Sequence, residues 1–282
     1  MLDQKTLHAA LKKVSAAMMH LENTGFEEKY PIGLIDINLW EWPQGVGLYG
    51  LWKLFERTKD GRYLATLREY YDARIADGLP GKNINTMAPV LALSYLYEYT
   101  GDETYGAVCK EWAQWVMDSL PKTKEGGFQH ITSDTLNDGE LWDDTLFMTV
   151  LVLANMGRIL GRQDYTDEAV YQFLLHTKYL ADKKTGLWYH GFTFHGNHNF
   201  AGAFWGRGNC WVTIAIPLLE RMAKEGEEGR KKIATITRYV TVILGLIQGV
   251  AYYFYLRSQG IVEYTDGFAG VFVAFVIVLT FT

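Results

Sequence analysis

Apolar and polar positions along the first 222 residues recur with a helical period, and strand alternation is scarce. Leu7, Leu11, Val14, Met18 and Leu21 fall on one face with charges between them, which predicts an amphipathic helix and not a signal peptide's continuous apolar run. Continued along the chain, the same spacing predicts helices over 2–21, 45–57, 61–76, 86–99, 103–118, 144–160, 165–181 and 208–222. Longer loops are expected at 22–44, 121–142 and 182–207. Asp60-Gly61-Arg62-Tyr63, Gly101-Asp102-Glu103-Thr104-Tyr105 and Gly161-Arg162-Gln163-Asp164-Tyr165 form a weak repeat, each read as a helix-ending glycine followed by a restart. Repeated helical hairpins stack into a solenoid or close into a toroid, and either places the long loops on one rim. The expected class is all-α.

The pattern changes past residue 222. Residues 223–232 form a charged hinge containing Lys-Glu-Gly-Glu-Glu-Gly-Arg-Lys-Lys. From 233 to 255 the chain is apolar apart from Arg238 and Gln248, and that length suits a membrane span. A second apolar run, 268–281, is too short to cross. Arg230, Lys231 and Lys232 would hold the first span's leading end on the cytoplasmic side. A buried helix of a soluble domain is the alternative, disfavoured by Gly245, Gly249, Tyr252, Tyr253 and Tyr255. The sequence thus divides into a helical domain at 1–222, the hinge at 223–232 and a membrane-type segment at 233–282, with membrane association possible through 233–255.

Composition narrows the partners. A formal net charge of -5, with no basic footprint over the body of the chain, speaks against nucleic acid. Cys109 and Cys210 are the only cysteines, so neither a disulfide framework nor a cysteine metal site is indicated, and a cytoplasmic location fits the helical domain. Aromatic residues make up 15% of the chain and fall in glycine-bearing loops as well as helices, where they serve either sugar stacking or an aromatic core.

Candidate chemistry gathers at predicted helix starts. In Leu141-Trp142-Asp143-Asp144-Thr145-Leu146-Phe147-Met148 two carboxylates stand at the mouth of an apolar helix, either as a cap or as proton carriers. The loop from Trp188 to Trp211 holds His190, His195, His198, Trp205 and Arg207. Arg207 lies between Gly206 and Gly208, which free its guanidinium to fork onto a carboxylate, and Trp205 and Trp211 bracket it. That combination suits a uronate. The three histidines match no standard zinc spacing, so no metal is expected. Gly126-Gly127-Phe128-Gln129-His130 forms another polar loop, Asn83-Ile84-Asn85-Thr86 is a cap or a hydrogen-bonding rim, and Trp40 and Trp42 lie in a third loop.

Taken together, Asn85-Thr86-Met87-Ala88-Pro89, Trp142 to Met148, Tyr189-His190-Gly191 and Trp205-Gly206-Arg207-Gly208-Asn209 resemble the unsaturated rhamnogalacturonyl hydrolases of glycoside hydrolase family 105, relatives of family 88. The resemblance spans about 5–222. It implies an (α/α)6 barrel, here incomplete, and an enzyme without a cofactor that removes 4,5-unsaturated galacturonyl residues from rhamnogalacturonan or pectin oligosaccharides. In that family an acid protonates the C4=C5 bond and water adds at C5, so the neighbouring sugar is released without displacement at the anomeric carbon. By this resemblance Asp144 is the general acid and base, with Asp143 its modulator or a cap. His190 and Arg207 would contact the uronate, Trp205 and Trp211 would shape its pocket, and Trp42, His130 and Asn85 would line it. The tail from Lys224 resembles SecY, the protein translocase channel, so the chain reads as an enzyme fragment joined to a translocase fragment. Alternative readings are a membrane protein of the translocase and an inert sugar-binding fragment.

Overall fold

The computed structural model describes residues 3–19, 36–132, 137–200, 202–224, 253–255 and 258. The chain divides into two compact units, Met1–Leu218 and Leu219–Thr282. Of the expected membrane segment at 233–282, all but Tyr253–Tyr255 and Ser258 lies outside the described residues, as does the hinge beyond Lys224. Among the described residues no helix is long and apolar enough to cross a membrane.

The first unit is mostly helical. Its helices are α1 (Gln4–Met19), α2 (Trp42–Thr58), α3 (Gly61–Asp77), α4 (Ile84–Thr100), α5 (Glu103–Asp118), α6 (Leu151–Leu160), α7 (Gln163–Leu180) and α8, which begins at Gly206. Helix α4 is buried on all sides from Thr86 to Leu96, as its apolar sequence requires. It packs between α2 and α6, while α3, α5 and α7 lie against these three from outside. Gly45 makes the α2–α4 approach possible, since a Cβ there would sit 2.5 Å from the Ala88 carbonyl carbon. The core between the helices is strongly aromatic, with Trp40, Trp52, Tyr71, Tyr105 and Trp112 all buried. Many of the aromatic residues therefore serve packing and not sugar stacking.

Caps explain most helix boundaries. Asp60, Asn83 and Asp102 each accept a backbone N–H from the first turn of the helix that follows. Gly101 and Gly161 end α4 and α6 in the left-handed conformation, as expected. The first member of the repeat differs: Lys59, at φ 57°, takes the left-handed position, and Gly61 opens α3. Trp42 is not a loop residue but the first residue of α2, with Glu41 as its cap and Pro43 in the first turn, where a proline's missing N–H is no loss.

Three further features depart from the sequence reading. The helix expected at 144–160 opens as a π-helical turn, Leu146–Val150, before α6. The expected loops also contain a small antiparallel sheet of β1 (Glu140–Trp142), β2 (Gly191–Thr193) and β3 (His198–Asn199), in that spatial order. Strands of two or three residues are too short to show alternation. On α1 the predicted apolar stripe is largely exposed, at 44% for Leu7 and 65% for Val14, because the helix docks through its end: Ser15 is buried against Tyr63, and Met18 lies against Gly47.

Candidate active site

The register of the small sheet assembles the site. Trp142 pairs with Gly191, and one step further the Asp143 N–H donates to the His190 carbonyl at 3.0 Å. Two segments far apart in sequence thereby set Asp143 beside His190. The imidazole Nδ1 lies 3.0 Å from Asp143 Oδ1 and 3.2 Å from Asp144 Oδ2. The other oxygen of Asp144 accepts the indole N–H of Trp211, on the second turn of α8, at 3.1 Å. Asp143 is fully buried and Asp144 is 5% exposed.

Neither carboxylate is spent on capping. Leu146 N–H donates to the main-chain oxygen of Asp143, so both side chains remain directed at the site. The first turn of α8 presses on the pair, because a Cβ at Gly208 would lie 1.9 Å from Asp143 Oδ2. Only a glycine permits that approach without displacement. Burial raises the Asp143 carboxyl from 3.8 to about 7; the His190 hydrogen bond opposes the rise, and the adjacent Asp144 carboxylate adds to it. Asp143 Oδ2 and Asp144 Oδ2 are buried and have no hydrogen-bond partner.

His130 forms the neighbouring wall. It is buried, its Nδ1 lies 3.0 Å from the Thr145 hydroxyl, and its ring stacks on Trp142 at 4.3 Å with planes 3° apart. Burial lowers its pKa to about 4, against the attraction of Asp144, so it is a neutral imidazole near pH 7. The loop carrying His130 is clamped from α7, where Gln172 accepts from Phe128 N–H at 2.8 Å and donates to the Gly126 carbonyl at 2.9 Å. Trp142 also lies 4.7 Å from the His190 ring. Trp142 and Thr145 are thus parts of the site that the sequence reading quoted within a motif but gave no role.

Arg207, in the first turn of α8, is exposed, and its guanidinium lies over the rings of Trp205, at 3.8 Å, and Trp42, at 4.8 Å. Trp205 in turn meets His190 edge-on at 4.6 Å. Asn209 fixes this entry by exchanging hydrogen bonds with the Trp188 backbone at 2.9 and 3.0 Å. The structure therefore gathers Trp42, His130, Asp143, Asp144, His190, Trp205, Arg207 and Trp211. Asn85 is not tied to them by a measured contact: it is half-buried in the first turn of α4, and its N–H donates to the capping Asn83.

Among the described residues, Asp143, Asp144 and His190 are the one group of three His, Cys, Asp or Glu side chains whose ligand atoms all lie within 4.8 Å of one another. His195 pairs instead with Asp138 at the surface, and His198 is exposed on β3, so the three loop histidines do not converge. With an imidazole nitrogen at hydrogen-bond distance from both carboxylates, the arrangement can store, give and retrieve a proton, and the aromatic walls with a free-facing guanidinium suit a ring that bears a carboxylate.

An inner and outer layer of helices here carries paired carboxylates, imidazoles and tryptophans in one site, an arrangement suited to a sugar ring. The chain belongs to Glycosyl Hydrolase Family 88, whose sequence model matches residues 11–255. It is 33% identical over 187 residues to the unsaturated rhamnogalacturonyl hydrolase YesR of Bacillus subtilis, covering 64% of this chain and 54% of that protein. The structure of a possible GH105 family member from Salmonella enterica is 40% identical with a TM-score of 0.74, over 86% of this chain and 64% of that one. The chain therefore spans about half the length of its curated relative. A segment of 63 residues is also 46% identical to the protein translocase subunit SecY of Pseudomonas aeruginosa, 22% of this chain and 14% of that protein. The family match continues past residue 222, where the sequence alone placed the end of the hydrolase-like part.

Proposed function

We propose that this chain carries the active site of a hydrolase that removes 4,5-unsaturated galacturonyl residues from rhamnogalacturonan or pectin oligosaccharides, on helices of an (α/α)6 barrel. One observation carries the reading: a buried carboxylate pair shares the Nδ1 of His190 directly behind an entry made of Arg207, Trp42 and Trp205. A guanidinium on the aromatic entry binds the uronate carboxylate, and the tryptophan faces take the flattened ring.

Asp144 acts as the general acid. Its proton goes to C4, the C4=C5 π electrons form the new C–H bond, and the resulting cation at C5 is stabilised by the ring oxygen. Water adds at C5 and returns a proton to the same carboxylate, so the acid is regenerated. The product is a hemiketal that opens to release the neighbouring sugar. Trp211 orients Asp144 through its indole N–H, and neutral His130 is available to hydrogen-bond a hydroxyl without adding positive charge.

The test is the ultraviolet absorbance of the conjugated C4=C5 bond in an unsaturated rhamnogalacturonan disaccharide. Incubation with the full chain is expected to remove the absorbance with release of the saturated sugar. Binding of the disaccharide, seen by calorimetry, with unchanged absorbance would instead establish a sugar-binding fragment and refute turnover.

A further inference from the structure

The carboxylate pair raises a question that a single acid–base residue does not answer, namely why a second aspartate is buried at the same imidazole. Three geometric facts bear on it. His190 Nδ1 hydrogen-bonds Asp143 Oδ1 at 3.0 Å and stands 3.2 Å from Asp144 Oδ2, so one imidazole nitrogen faces both groups. Asp143 keeps a buried Oδ2 with no hydrogen-bond partner. Gly208 approaches Asp143 so closely that a Cβ there would lie 1.9 Å from Asp143 Oδ2. Two ionised carboxylates buried side by side repel each other, and Asp143 Oδ2 lacks a donor. One proton held between the two groups relieves both defects.

We infer that Asp143 is a positioning residue that shares one proton with Asp144 and aligns His190 for the acid–base step. The inference rests on the hydration reading for its kinetic consequences, but not for its central claim about the proton. The surroundings support it from every side. His190, just before β2, hydrogen-bonds Asp143 Oδ1 through Nδ1 and lies 3.2 Å from Asp144 Oδ2. His130, from the α5–α6 connection, is held neutral by burial, and His176 on α7 behind it is likewise lowered to about 4. On α8, Trp211 contributes a neutral N–H, while the Arg207 guanidinium lies over the Trp42 and Trp205 rings. In the direction of these effects, burial and the second carboxylate both hold the shared proton on the pair to higher pH.

Two measurements on the full chain test the inference. Carboxyl carbon NMR, with 13C-labelled aspartate, is expected to show one carboxyl of the pair titrating near neutral pH in the wild type. In Asp143→Asn this near-neutral carboxyl titration should disappear, because the carboxyl that burial raises is gone. The hydration rate follows the same group: the alkaline limb of kcat shifts down by about one pH unit in Asp143→Asn, a roughly tenfold loss at pH values above it. Asp143→Ala should in addition raise KM several-fold, since alanine offers His190 no acceptor whereas asparagine does. A wild-type chain in which no aspartate titrates above pH 5 overturns the inference, as does an Asp143→Asn profile that superimposes on the wild type. If no protein hydrates the substrate, the functional reading fails, and the wild-type carboxyl titration still decides whether the proton is shared.

Discussion

Two helix starts on this structure use the same kind of residue for opposite ends. At α4, Asn83 accepts the N–H groups of Asn85 and Thr86, at 2.8 and 3.1 Å, and the Thr86 hydroxyl answers by accepting the Asn83 N–H, a complete capping box. At the start leading into α6, Asp143 and Asp144 occupy comparable sequence positions, yet their carboxylates face His190 and Trp211. A short polar side chain before an apolar helix is therefore ambiguous until its surroundings are known. Where local N–H groups are the nearest donors the residue is a cap. Where a strand register delivers an imidazole, it becomes a proton carrier.

The strongest way to break this contrast is Asp144→Asn. The amide is nearly isosteric, so folding should be retained, but it cannot give and retake the proton. Removal of the acid–base group is expected to lower kcat for the unsaturated disaccharide by about 10²–10⁴-fold. Activity within threefold of wild type, with an unchanged thermal midpoint, would return Asp144 to the status of a structural residue.

The helices and the glycine stops at Gly101 and Gly161 were legible because periodicity and helix ends are local properties; the caps Asp60 and Asp102 are as local, beside the N–H groups they bind, but were not singled out. The aspartate pair, His190 and Arg207 could be picked out by residue type. Their meeting could not, because it depends on the pairing of Trp142 with Gly191, 49 positions apart in strands of three residues. Trp142 escaped a role for the same reason, since its partner His130 reaches it from the opposite end of a loop. The π-helical turn at Leu146–Val150 has no sequence signal, and such turns often sit at functional sites. Its placement directly after Asp144 and Thr145 means that the helix irregularity and the site chemistry share one turn.

A second substitution acts on the same side of the comparison through packing. Gly208→Ala places a methyl group where Asp143 Oδ2 now lies, so either α8 or the carboxylate must shift. Overpacking of this kind costs about 1–3 kcal/mol. Hydration should fall with it, since Trp211 sits three residues further along α8 and would carry the movement to Asp144. Chemical denaturation read beside kcat checks both effects, and a variant equal to wild type in both would show that the close approach is incidental.

The buried imidazoles offer a smaller and purely thermodynamic contrast. His130 has a folded-state pKa lowered from 6.5 to about 4 by burial, so the folded state binds fewer protons than the unfolded state between those values. Its contribution to stability is present in full above pH 6.5 and is lost as the pH falls towards 4. Replacement by phenylalanine should remove about one proton from the slope of stability against pH in that window, as denaturant midpoints at pH 4.5, 5.5 and 6.5 would show. An unaltered slope would place the proton uptake elsewhere, with His176, lowered to about 4 in the same way, the first group to test.

The smallest effect belongs to the other helix start. Asn83→Ala removes the acceptor for two N–H groups of α4 and breaks the capping box, a loss of about 1 kcal/mol of stability. Asn83 is 7% exposed, and the Thr86 hydroxyl can still accept the backbone N–H at residue 83, so the helix should shorten little. What sharpens the comparison is the expected silence of the chemistry: the pH profile of kcat should remain that of the wild type, because the cap bears no proton that the reaction uses. If Asn83→Ala instead moved the profile, α4's first turn would have to be coupled to the aspartate pair, and the division between a capping helix start and a proton-carrying one would fail at its simpler member.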